Sequence, residues 1–202
     1  MRVVTAHAQD RALEVMQQRQ QDLLDSQTRL TSGKRVSKPS DDPIAAARAE
    51  RALAQESRSV ADQRAADASL SALQQADGAL SDATDILQSI RELVVQAGNA
   101  AYSDTQRQSI AQQIRSLRDD LLRVANRGDG GNGYLFGGQG SVAAPFVDTP
   151  TGVQFRNTAG QQLAAYVEPL PLTVDGAQAF GVDAQGVAGV FASLDATVQA
   201  LS

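Results

Sequence analysis

The sequence predicts a mainly α-helical protein with a small β-rich insert: an N-terminal helix, a long helical-hairpin rod and a β-rich module after it. Three observations predict it. Residues 5–31 and 43–126 contain few helix breakers. Apolar residues recur there at heptad spacing. From Gly128 onward, glycine, proline and aspartate separate short apolar runs that suit strands. Charge divides at the same place. Residues 1–127 carry 17 Lys+Arg and 17 Asp+Glu, whereas 128–202 carry Arg156 against six acids, so the whole net charge of −5 falls in the second part.

The first element is a helix over residues 5–31. Leu13, Met16, Leu23 and Leu30 recur at steps of three, seven and seven, with Gln20 and Gln27 at the intervening heptad positions. That seam is narrow and diluted by glutamine. A helix of this kind buries little by itself, so its stability has to come from a partner. Gly33 supplies a stop.

The joint that follows reads LTSGKRVSKPSDDPIAAA over residues 30–47. Lys34, Arg35 and Lys38 suit either a phosphate or the dipole at the C-terminus of the first helix. Lys38 precedes Pro39, which pushes it out of helical geometry and prevents one unbroken helix. Asp41 and Asp42 read as a carboxylate pair or as a helix cap. No histidine lies near and Pro43 follows directly, which favours Asp42 as N-cap with Pro43 at the first helical position.

The second helix runs from Pro43 to about Gln96, and some 54 residues would span roughly 80 Å. Its heptads place Leu73, Leu80, Leu87 and Val94 at one core position and Ala76, Ala83, Ile90 and Ala97 at the other. Ala72, Ala79, Ile86 and Leu93 widen the stripe, as contact with more than one helix requires. Gly78 costs about 1 kcal/mol there, too little to end the pattern. A turn at 98–103 leads to a capping box, Ser103 with Gln106, and a third helix carrying Ile110, Ile114, Leu117, Leu121 and Val124. It folds back as an antiparallel hairpin, so the expected rod core is Leu73, Leu80, Leu87, Ile90, Val94, Ile114, Leu117 and Leu121.

GDGGNGYLFGG, VQF, QLAAYV and PLTV then read as the short strands of the β module. A last amphipathic helix begins near Val187, with Val190, Phe191, Leu194, Val198 and Leu201 facing the hairpin. The expected domains are an arm and joint at 1–42, the rod at 43–131, the β module at 132–186 and a returning helix at 187–202.

Composition removes several function classes. Without cysteine there are no disulfides, thiolate zinc sites or cysteine nucleophile. His7, the single histidine, leaves no multi-histidine metal site and reads as a surface residue of a fraying end. GDGGNG at 128–133 has the letters of a dinucleotide fingerprint, but a helix precedes it and a strand follows, the reverse of what aims a helix N-terminus at pyrophosphate. Arg127, Gly128 and Asp129 spell the adhesion tripeptide RGD in a glycine-rich turn. No nucleophile, base and oxyanion site come together, so neither an enzyme nor a cofactor or metal site is expected. Neither part offers a basic surface for nucleic acid, no apolar run reaches the ~20 residues of a membrane span, and the N-terminus lacks the apolar core of a cleavable secretion signal.

The joint, together with LQSIRELVVQAGN (87–99), SDTQRQSIAQQIRSLRDDLLRVAN (103–126) and GNGYLFGG (131–138), resembles the N-terminal region of the flagellin superfamily. The wording KRVSKPSDDP with YLFGG is most like the members that join the flagellar hook to its filament. The resemblance is strong over about residues 1–140 and loose in the β module. It implies a helical arm that packs axially, with Leu13, Met16, Gln20, Leu23, Gln27 and Leu30 facing neighbours, and a β module at the rod's outer end. It implies a structural spoke formed by Gly33, Lys34, Arg35, Pro39, Asp41, Asp42 and Pro43. The implied partners are other copies in a ring, a hook-side adaptor, flagellin and a cytoplasmic export chaperone. The implied location is the extracellular hook–filament junction, reached by the flagellar type III route. The family returns from its β insert through a long helix to a second terminal arm, whereas here the pattern is still running at Ser202. A filament-forming flagellin is the alternative within the superfamily, and an intracellular helical adaptor or signalling coiled coil is the alternative outside it.

Overall fold

The computed structural model describes residues 2–33, 36, 39–40, 42–140, 143–164 and 169–202, with side chains from Asp10 onward. It is mainly helical with a small strand-bearing segment. The chain forms two compact units, Met1–Val60 and Ala61–Ser202. Their boundary falls inside a helix.

The first unit holds α1, Arg2–Ser32, and the start of α2, Pro43–Ala97. Gly33 follows α1 with φ +64°, a left-handed conformation that glycine adopts at no steric cost. At the start of α2, Asp42 Oδ1 accepts the Ala45 N–H at 2.9 Å while the Asp42 carbonyl accepts that of Ala46. The side chain thus satisfies one of the orphan donors of the first turn, and Pro43 supplies no donor to satisfy.

In the second unit α2 continues to Ala97 and the chain turns through Gly98–Ser103. It re-enters α3, Asp104–Ala125, through a capping box in which Gln106 N donates to Ser103 Oγ and Ser103 N donates to Gln106 Oε1. Arg127, just past the far end of α3, donates to Asp82 of α2 at 2.6 Å, so the two helices run antiparallel. The hydrophobic core gathers Ala79, Ala83, Ile90 and Ala97 of α2 with Ile110, Ala111, Ile114, Leu121 and Ala125 of α3.

Three expected core residues lie elsewhere: Leu73, Leu80 and Val94 are exposed, which corrects their placement in the rod core. Ile90, Ile114 and Leu121 are buried, while Leu87 and Leu117 are half-buried against the core. The physical reason is the angular position of the two rows on the helix. The alanines at 76, 79, 83 and 97 form the face of α2 that turns to the core. The Leu73–Leu80–Val94 row stands three positions earlier, about 60° round the helix, and is left on the flank.

Four short strands follow among the described residues. β1 (Phe146–Thr149) pairs antiparallel with β2 (Gly152–Phe155), Phe146 opposite Phe155, and β3 (Leu163–Ala164) pairs with β4 (Leu170–Pro171). The expected VQF strand lies in β2. Among the described residues QLAAYV contributes two strand residues and PLTV one, Pro171, and YLFGG makes isolated bridges instead of a strand. One turn, α4 (Gly176–Ala179), is capped by Asp175, and α5 (Gly189–Leu201) packs closely along α3. All five phenylalanines of the chain, Phe136, Phe146, Phe155, Phe180 and Phe191, meet in one cluster with neighbouring ring centroids 4.9–6.3 Å apart. Offset and edge-on aromatic pairs add to the area they bury.

Candidate assembly interface

The apolar side chains of α1 find no cover within the described first unit. Leu13, Val15, Met16, Leu23 and Leu24 are exposed, and Leu30 is 84% exposed. Gln20 and Gln27 stand exposed in the same seam. On α2, Ile44, Leu53 and Val60 are likewise exposed in the first unit. A row of exposed apolar side chains on one helix marks a candidate interaction site. Of the joint, Gly33, Pro39, Asp42 and Pro43 are described; Lys34, Arg35, Lys38 and Asp41, with the side chain of His7, lie outside the described residues.

The second unit holds its β segment to its helices with a polar clasp that the sequence reading missed. Arg118 of α3 is 9% exposed at its side chain. Its Nη1 and Nη2 donate to Asp148 of β1 at 2.6 and 2.9 Å. Its Nε and Nη2 donate to Asp195 of α5 at 2.6 and 3.1 Å. The guanidinium carbon also lies 5.9 Å from the centroid of the Phe191 ring. One planar fork therefore answers two carboxylates and one aromatic face, a geometry that lysine cannot reproduce. The hydrogen bonds from Arg118 hold the Asp148 carboxyl below its ordinary range, and the same bonds, accepted by Asp148, hold the guanidinium above its own.

A signal for the clasp was present. Arg118 is four residues after Ile114 and three before Leu121, and Asp195 is four after Phe191 and three before Val198. Each charge therefore sits on the buried face of its helix. Below the clasp, Asn126 ends α3 and makes both hydrogen bonds of a strand partner, donating to Phe146 O at 2.8 Å and accepting from Phe146 N at 2.9 Å.

The GDGGNG loop is closed on itself. Asp129 Oδ1 accepts the amides of Gly131 and Gly133 at 2.8 and 3.1 Å, which leaves neither donor for a phosphate. In the RGD triplet Arg127 is paired with Asp82 and Asp129 is engaged within the loop. Among the described residues no group of three or more His, Asp or Glu could hold a metal ion, and no helix is long and apolar enough to cross a membrane.

Helical arm, capped joint, antiparallel helices and a closing β segment follow each other in an order that comparison with known proteins identifies. Residues 3–141 match the bacterial flagellin N-terminal helical region, and the chain belongs to that family. Within it, the chain is 40% identical over 126 residues to flagellar hook-associated protein 3 of Salmonella typhimurium, covering 61% of this chain and 38% of that protein. It is 33% identical over 159 residues to flagellin of Bacillus subtilis, covering 76% of this chain and 50% of that one. Among solved structures, FlgL of Xanthomonas campestris superposes with a TM-score of 0.56 at 28% identity, covering 62% of this chain and 41% of that one. The flagellar junction protein FlgL of Legionella pneumophila gives 0.54 at 27%, covering 67% and 42%. The chain thus spans about two-fifths to one-half of the length of these relatives.

Proposed function

We propose that the chain is a structural component of the bacterial flagellum that joins hook to filament, and that it acts by axial self-assembly and not by catalysis. The observation that carries this reading is the exposed seam of α1, Leu13, Met16, Leu23 and Leu30 with Gln20 and Gln27. A seam left open in a family of flagellar subunits needs other subunits to cover it. Its neighbours in this reading are copies of itself in a ring, a hook-side adaptor and flagellin, with a cytoplasmic chaperone before export. The joint from Gly33 to Pro43 acts as the spoke that sets the angle between arm and rod. Residues 1–42, 43–131, 132–186 and 187–202 are the arm, rod, β module and returning segment.

A photocrosslinking residue in place of Leu23, in cells that build flagella, tests the reading. Crosslinks to the same protein and to flagellin, recovered from sheared filaments with hooks attached, are expected. Recovery of the protein only from the cytoplasm would sink the proposal in favour of an intracellular adaptor. A filament-forming flagellin is the second reading, supported by the long match to the Bacillus protein. Abundance separates the two: a junction subunit is scarce relative to filament protein.

A further inference from the structure

The glycine-rich loop contains the dipeptide Asn132–Gly133, in which an asparagine side chain precedes a residue with no Cβ to hinder its backbone nitrogen. Asn132 is exposed and its side chain makes no hydrogen bond within the described residues. The Gly133 N–H, by contrast, donates to Asp129 Oδ1 at 3.1 Å, and the Gly133 carbonyl accepts from Asp129 N at 3.1 Å. The same carboxylate lies so close over Gly133 that a Cβ there would stand 2.6 Å from Asp129 Oδ2. The two residues flanking the loop, Gly128 and Tyr134, form an antiparallel bridge that closes it.

We propose that Asn132–Gly133 is a site of spontaneous deamidation, with water as its only co-reactant, and that Asp129 holds it closed in the folded loop. In the reaction the Gly133 nitrogen gives up its proton and bonds to Asn132 Cγ. The bond from Cγ to the side-chain nitrogen breaks, that nitrogen takes up a proton and ammonia leaves. Water then opens the five-membered imide at either carbonyl, leaving aspartate or isoaspartate, with no oxidation or reduction. The native loop opposes the first step twice. The nitrogen must abandon a hydrogen bond to a charged acceptor, and a carboxylate beside it disfavours the amide anion that attacks. Cyclisation also needs backbone rotation at a residue pinned through both its N–H and its C=O. Isoaspartate at 132 would insert a methylene into the main chain directly before Gly133, a few residues ahead of the buried Leu135 and Phe136.

Mass spectrometry of the peptide carrying Asn132 tests this, with native chain and urea-unfolded chain incubated side by side in mildly alkaline buffer. The native chain should convert roughly ten- to a hundredfold more slowly, the ratio that one hydrogen bond to a charged group supports. Asp129→Ala should move the native rate most of the way to the unfolded one, and Asp129→Asn, which keeps an acceptor but not the charge, should fall between. Asn132→Gln should abolish the conversion in both states. Equal rates in native and unfolded wild type would overturn the proposal, as would an Asp129→Ala chain that stays as slow as wild type. Should Asp129→Ala loosen more than the loop, the wild-type native-to-unfolded ratio still decides.

Discussion

Arg118 concentrates more interactions than any other polar residue described here, and its removal tests its worth. Arg118→Met should lower the unfolding free energy by about 2–3 kcal/mol, since it deletes charge-assisted hydrogen bonds to two carboxylates. Both aspartates are partly exposed, and water softens their loss of a partner. Arg118→Lys should recover less than half, because a point charge cannot serve both aspartates as a fork does; chemical denaturation of the three chains measures the order. The carboxyl of Asp148 is depressed on folding, so its contribution is present above the usual aspartate range near ~3.9 and is lost as pH falls through the lower folded value. The melting difference between wild type and Asp148→Asn should therefore be constant at neutral pH and shrink in strong acid. A difference that widened on acidification would contradict the sign. Little of this was legible beforehand. Periodicity puts Arg118 on the buried face of α3, but its partners become visible only when β1 and α5 supply carboxylates from 30 and 77 residues away.

The helices were the readable elements, because each announces itself locally. Pro43 and Asp42 mark the start of α2, Ser103 and Gln106 mark that of α3, and the observed caps use those atoms. What failed was the choice of face. Heptad spacing places both the Leu73–Leu80–Val94 row and the Ala76–Ala83–Ala97 row inward, whereas only the second row is buried. The consequence is testable by substitution and thermal melting: Ile90→Ala should cost ~2–5 kcal/mol as a buried truncation. Leu80→Ala on the flank should cost less than about 1 kcal/mol. Equal losses would restore the leucine row to the core. The strands were less legible, since two- to four-residue pairs carry no period, and β1 was missed because FVDT offers only one inward residue, Phe146. That residue depends on a helix cap: Asn126→Ala should strip both Phe146 backbone groups of their partner and cost about 2 kcal/mol. Amide exchange at Phe146 should rise with it.

The chain as a whole divides into a unit whose described side chains are almost all exposed and a unit built around a compact core. Limited proteolysis should cut first between residues 10 and 60 and leave a resistant fragment carrying α3, β1–β4 and α5. In the uncut monomer, Leu23→Ala should leave the melting unchanged. Protection of α1 equal to that of α3 in a proven monomer would refute the unpartnered seam. The clasp has one more implication, and it concerns time. Arg118 finds Asp195 only 77 residues later in the chain. At about 5–20 residues per second of synthesis, that separation amounts to roughly 4–15 s. Throughout that interval the inward face of α3 has neither Phe191 nor Asp195 to close on, so a nascent chain presents a sticky helix with an arginine at its centre well before it can fold.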